Sequence, residues 1–188
     1  MFLSIILASK SPRRQQLLSH ANIQYEVMAA TGEEIIPENC TPAQAAISIA
    51  SQKIIQIGLE DETRPILAAD TIVVCGGEIF GKPSNEVEAM KMLTRLSGNM
   101  HEVITGVCIK YKKKEISFYD TTNVYFNELS ASDIAYYVHT ARPFDKAGGY
   151  GIQEWIGYTG VKKIEGDYYN VMGLPISRVV GHFGSYKK

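Results

Sequence analysis

The chain has 188 residues, 45% of them hydrophobic and 21% charged, with a formal net charge of −1. That length suits one domain with a real core, and the near-neutral balance argues against a duplex-binding surface, which carries a basic excess. Any anionic partner is therefore expected to be a small molecule held by a local cluster, with no nucleic acid involved. Cys40, Cys75 and Cys108 are widely spaced and odd in number. They read as reduced thiols of a cytoplasmic protein, not as a disulfide frame. The first apolar run is too short to span a bilayer and lacks a basic leader, so no membrane anchor or signal peptide is expected.

Phe2 to Ala8 reads as a buried strand, followed by the polar turn Ser9-Lys10-Ser11 and a helix beginning at Pro12 or Arg13. Proline suits a first helical turn, where its missing N–H has no partner to lose. Hydroxyls and the cations Lys10, Arg13 and Arg14 thus gather where a strand's carboxyl end meets a helix's amino end, a place that favours phosphate. Tyr25 to Ala30 is a second short strand. Thr41-Pro42-Ala43-Gln44 has the pattern of a capping box, and Gly58 is placed to end the helix it starts. Pro65 to Cys75 is strongly strand-like, and Gly76-Gly77 turns into Glu78-Ile79-Phe80. A helix is expected from Asn85 to Leu96. His101 to Tyr111 and Glu115 to Asn127 follow as a long hairpin. Ser130 caps another helix running to Thr140, and Asp145 to Tyr150 is irregular. Val161 to Glu165 and Tyr168 to Val171 read as a second hairpin about Gly166-Asp167. A helix from Pro175 to Phe183 precedes a basic tail. Hairpins interrupting βα units imply an α/β domain with a mixed sheet.

Asp70 lies within Ile66-Leu67-Ala68-Ala69-Asp70-Thr71-Ile72-Val73-Val74, whose other residues suit a buried strand. A carboxylate there is costly unless a cation, metal or hydrogen-bond network compensates it, which marks Asp70 as a metal ligand or general base. Glu33-Glu34 supplies further carboxylates just after the second strand, and Lys53 and Lys82 add positive charge. Mg²⁺ or Mn²⁺ takes carboxylates and water, often with phosphate completing the shell. The chain has no G-x-x-x-x-G-K-[ST], no complete dinucleotide fingerprint, no H-E-x-x-H and no G-x-S-x-G. Cations and carboxylates around a turn, with no nucleophile motif, suit metal-assisted hydrolysis of a phosphate anhydride.

Leu7-Ala8-Ser9-Lys10-Ser11-Pro12-Arg13-Arg14 resembles the opening signature of the Maf family of nucleoside triphosphate pyrophosphatases, also called septum-formation-inhibitor proteins. The resemblance continues through Glu33-Glu34, Ala69-Asp70-Thr71, Gly81-Lys82-Pro83, Leu96-Ser97-Gly98, the run Asp145 to Gln153, and the run Gly166 to Pro175. Gly149 and Glu154 depart from the family pattern, which has alanine and glycine there. Across residues 1–188 the resemblance implies a single α/β domain of two lobes around a deep cleft, with helices flanking a twisted mixed sheet, commonly assembled as a homodimer. It implies hydrolysis of a nucleoside triphosphate to the monophosphate and pyrophosphate with a divalent metal, Mg²⁺ or Mn²⁺. By the same carry-over Asp70 is the catalytic base, Glu33 and Asp70 bind the metal, and Ser9, Arg13, Arg14, Lys53 and Lys82 line the phosphate path.

Members resembling methylated-guanine pyrophosphatases carry an aromatic residue at the position of Arg13 and an acid at that of Gln153. This chain has Arg13, Thr71 and Gln153 as specificity residues. A glutamine amide offers one donor and one acceptor, complementary to the O4 and N3–H edge of uracil or thymine. The expected substrates are dTTP and UTP, with modified pyrimidines as further candidates. Two alternatives share these features: a nucleotide-binding regulator of division that scarcely hydrolyses, and a house-cleaning pyrophosphatase directed at non-standard purines.

Overall fold

A computed structural model describes residues 4–58 and 63–184. Phe2, Leu3 and the basic tail lie outside the described residues. The first elements are β1 (Ile5–Leu7), α1 (Pro12–His20), β2 (Tyr25–Val27), α2 (Pro42–Ile57), β3 (Ile66–Cys75) and β4 (Glu78–Phe80). They are followed by α3 (Glu86–Leu96), β5 (Met100–Tyr111), β6 (Lys114–Phe126), α4 (Ala131–Ala141) and a 3₁₀ turn at Ala147–Gly149. The last described elements are α5 (Trp155–Gly160), β7 (Val161–Glu165), α6 (Tyr168–Val171) and α7 (Ile176–Gly184). Hydrogen bonding orders the sheet β2-β1-β3-β5-β6-β7, with β4 on β3. β1 runs parallel to β2 and to β3, whereas β3–β4 and β6–β7 are antiparallel, so the sheet is mixed as expected.

The described residues form two compact units, divided within the long strands. One holds the residues up to Asp70, Thr105–Asp120 and those from Gly173 onward. In it, Ile6, Ala8, Ala50, Ile54, Ile66, Ala68 and Cys108 make a core against which Met28, Ile47 and Ile57 pack. α2 begins as its sequence implies: Thr41 Oγ1 accepts from Gln44 N, and the Gln44 side chain accepts from Thr41 N. Gly58 closes it in the left-handed conformation, φ 61°. α2 also sits very close to β5, for a Cβ on Gly106 would lie 2.4 Å from the Ala46 carbonyl carbon. The Cys108 thiol is directed at the Ile47 carbonyl.

The other unit holds Thr71–Ile104 and Thr121–Met172. α3 buries Ala89, Met92, Leu93 and Leu96, and α4 buries Ile134, Tyr137 and Val138, each a stripe at helical spacing. Asn85 and Ser130 cap these helices by accepting from Glu88 N and Asp133 N. His101 is fully buried, its Nε2 paired with Tyr150 Oη at 2.7 Å and its ring edge-on to Phe126.

One local expectation is overturned by the structure. Tyr168 to Val171 is a one-turn helix, not the second strand of a hairpin. Asp167 accepts from Tyr169 N, and Asn170 Nδ2 donates to Val103 O and Thr122 Oγ1, so capping and a buried side-chain anchor outweigh the β-leaning composition. α5 was not expected from sequence at all. Among the described residues no helix is long and apolar enough to cross a membrane. Cys40, Cys75 and Cys108 are free thiols.

Candidate active site

In the first unit the site follows from strand register. β1 and β3 are parallel with Leu7 opposite Leu67, and Ala8 N donates to Leu67 O at 2.8 Å. Parallel neighbours end on the same side, so the Ser9 turn beyond β1 comes beside Ala69 and Asp70. Ser9 Oγ accepts from Ser11 N at 3.2 Å and from Arg14 Nη1 at 3.0 Å. Arg14 is buried, and its Nε donates to Gly173 O at 2.7 Å. The guanidinium is thereby fixed against both the turn and the segment leading into α7. Burial pulls the Arg14 pKa below its ordinary value, and the negative field of Asp70 opposes that pull. Ser11, at the head of α1, makes no side-chain cap bond.

Asp70 is buried on β3 and paired with a buried lysine from α2. Lys53 Nζ lies 2.6 Å from Asp70 Oδ1 and 3.1 Å from Glu34 Oε1. The ammonium also faces Ala69 O at 3.4 Å. Its charge offsets the cost of placing a carboxylate in an apolar strand. The acidic loop is brought there by two glutamines one turn apart on α2. Gln52 Oε1 accepts from Ile35 N at 2.9 Å while its Nε2 donates to Ile35 O at 2.6 Å. Gln56 Oε1 accepts from Gly32 N at 3.1 Å and its Nε2 donates to Glu33 O at 3.0 Å. Gln56 packs closely on Gly32, where a Cβ would sit 2.6 Å from its Cδ. Glu33 is thus held through its carbonyl, and Glu34 is the carboxylate that shares Lys53 with Asp70. Sequence reasoning missed Gln52 and Gln56; their i, i+4 spacing beside Lys53 was the available signal.

Among the described residues no group of three His, Cys, Asp or Glu side chains forms a metal cage. Two carboxylates held by one lysine nonetheless fit a hard cation of the Mg²⁺ kind, which uses one or two protein carboxylates with water and phosphate oxygens.

In the second unit, Thr71 continues β3 directly from Asp70, and Lys82 is exposed on the loop after β4. Gly81 O accepts from Gly148 N at 3.0 Å, tying that loop to the glycine-rich segment. Gly148 has φ +70° and its α-carbon lies against Val73, where a Cβ would meet Cγ2 at 3.0 Å, so glycine is required. Gln153 Oε1 is buried and accepts no hydrogen bond from the described residues. In the same segment, Lys146 is buried and its Nζ lies 2.7 Å from Asp145 Oδ1 and 3.2 Å from Glu154 Oε1.

A family model described as Maf-like protein matches residues 4–185, and the chain belongs to that family. A Cytophaga hutchinsonii protein named dTTP/UTP pyrophosphatase is 49% identical over 176 residues, 94% of this chain and 81% of that one. Relatives of the same name from Phocaeicola vulgatus and Thermosipho africanus are 48% identical over 179 residues and 50% identical over 177. The matches cover 93% and 94% of this chain, and 92% and 90% of those proteins. A solved HAM1 protein from Coxiella burnetii superposes with a TM-score of 0.51 at 11% identity, over 97% of this chain and 99% of that one. At that identity the likeness shows a common α/β fold alone.

Proposed function

We infer that this protein is a nucleoside triphosphate pyrophosphatase that hydrolyses dTTP and UTP to the nucleoside monophosphate and pyrophosphate. The observation that carries the chemistry is Asp70, a buried carboxylate poised on Lys53 beside the Ser9–Arg14 turn. In this reading Asp70 accepts a proton from water as its oxygen bonds to the α-phosphorus. The bond from the α-phosphorus to the bridging oxygen breaks, and pyrophosphate leaves with that electron pair. Ser9, Arg13, Arg14, Lys53 and Lys82 orient the triphosphate and offset its charge, with Arg14 and Lys53 held in place before substrate arrives. Asp70 and the Glu33-Glu34 pair supply the carboxylates for a divalent metal. Such an ion, when bound, polarises a phosphoryl oxygen and neutralises the leaving group.

The pyrimidine reading rests on Gln153. Its buried Oε1 has acceptor capacity that the described residues leave unused, a state with a cost that a ligand N–H would relieve. The N3–H of uracil or thymine is such a donor, and the amide nitrogen can donate to O4 in return. Arg13 and Thr71 complete the specificity set.

The test is a panel of UTP, dTTP, CTP, GTP, methylated GTP and inosine triphosphate with Mg²⁺ or Mn²⁺, scored for pyrophosphate against orthophosphate. UTP and dTTP are expected to turn over fastest with pyrophosphate as product. Orthophosphate as product, or fastest turnover of methylated GTP, would overturn the reading.

A further inference from the structure

Gln153 cannot by itself tell uracil from cytosine. An amide turned over by half a rotation matches the ring nitrogen and exocyclic amine of cytosine as well as it matches the N3–H and carbonyl of uracil. Discrimination therefore depends on the groups the amide meets once the base is bound, and the side chain reaches these reproducibly only if the backbone that carries it is held. The structure shows such a hold one residue further on. Glu154 N donates to Gly151 O at 3.0 Å, closing a four-residue turn that contains Gln153. The Glu154 side chain then folds back over the same turn. Its Oε2 accepts from the Tyr137 hydroxyl on α4, and that hydroxyl oxygen accepts from Gly151 N at 3.0 Å. Its Oε1 lies 3.2 Å from the buried Lys146 Nζ. Gly151 makes room for this: a Cβ there would sit 2.7 Å from Glu154 Cδ. Burial, and next the bond to Glu154, push the Tyr137 hydroxyl well above the usual tyrosine range, so it remains a donor.

We propose that Glu154 is a positioning residue for base selection, closing the Gly151–Glu154 turn through Tyr137 and Lys146 so that Gln153 is carried to the base from one fixed place. The proposal rests on the assignment of Gln153 as the base reader. In this role Glu154 acts through its neighbour Gln153.

The experiment measures kcat and KM for UTP and for CTP on the full chain with Mg²⁺. The variants are Gln153→Ala, Glu154→Gln, Tyr137→Phe and the double variant Glu154→Gln/Gln153→Ala. Tyr137→Phe keeps the buried ring and deletes only the hydroxyl, giving a second probe should Glu154→Gln fail to fold. Glu154→Gln and Tyr137→Phe are each expected to lower the UTP:CTP ratio of kcat/KM about tenfold, more through KM for UTP than through kcat. In the Gln153→Ala background, Glu154→Gln is expected to change the ratio no further. An unchanged ratio in both single variants overturns the proposal, as does an equal fall when Gln153 is already absent. A wild type without UTP preference, or a Gln153→Ala variant that keeps it, refutes the base-reader assignment and this proposal with it.

Discussion

Lys53→Met isolates the interaction on which the cluster depends. Methionine keeps much of the lysine stem and removes the charge. The Lys53 and Asp70 side chains are only 10% and 11% exposed, and their charged atoms are 2.6 Å apart. At an effective dielectric of about 20, Coulomb's law gives roughly 6 kcal/mol of gross attraction at that distance. Desolvation has already consumed part of it. The cost of removing one partner from a buried pair is about 3–5 kcal/mol, because the other charge remains uncompensated. Glu34, with 43% of its side chain exposed, is hydrated and contributes little. For a chain of this size the expected fall in Tm is roughly 6–20 °C. Urea unfolding followed by circular dichroism measures the loss of stability and a thermal melt the fall in Tm, with Asp70→Asn and the double variant alongside. Asp70→Asn removes the stranded charge, so Lys53→Met/Asp70→Asn is expected to recover most of the stability that Lys53→Met loses. A loss below about 1 kcal/mol in Lys53→Met, or a double variant no more stable than it, would refute the reasoning.

Burial lowers the His101 pKa from 6.5 to about 4. Below pH 6.5 the unfolded chain therefore binds a proton that the folded chain declines. Stability from this source is complete above 6.5 and is lost as pH falls toward 4, by on the order of 3 kcal/mol in all. Urea midpoints across that range should show a flatter pH dependence for His101→Phe than for the wild type. Gly106→Ala should cost about 1–3 kcal/mol, because its Cβ meets the α2 backbone, and should slow turnover because α2 carries Lys53. Arg14→Lys cannot reproduce the fork that spans Ser9 Oγ and Gly173 O, so it should lower stability by about 1–3 kcal/mol and raise KM for UTP.

What was legible in the sequence is what local chemistry determines. Thr41-Pro42-Ala43-Gln44 forms its capping box, and Asn85 and Ser130 cap their helices, because each signal spans four residues and needs no tertiary partner. Asp70 stood out since a carboxylate in an apolar strand is anomalous before any contact is known. The turn of helix at Tyr168 was hidden, because Asn170 is anchored on Val103 and Thr122, far away in the chain. α5 was hidden as well. Its Glu154 N-cap makes no side-chain cap bond, and Gly157 is dictated by the Ile152 carbonyl, 1.8 Å from where a Cβ would lie. Which member of Glu33-Glu34 meets Lys53 depends on Gln52 and Gln56 gripping the loop backbone, a tertiary fact. The Glu154 network was likewise unreadable, since Tyr137 reaches it from another helix.

The central claim is that Asp70 directs water to the α-phosphorus of a pyrimidine triphosphate. Single-turnover hydrolysis of UTP in ¹⁸O-labelled water, read by mass spectrometry, tests it most directly. The label is expected in UMP, with its appearance largely abolished in a folded Asp70→Asn variant. Label in pyrophosphate, or near-wild-type labelling of UMP by Asp70→Asn, would contradict the account.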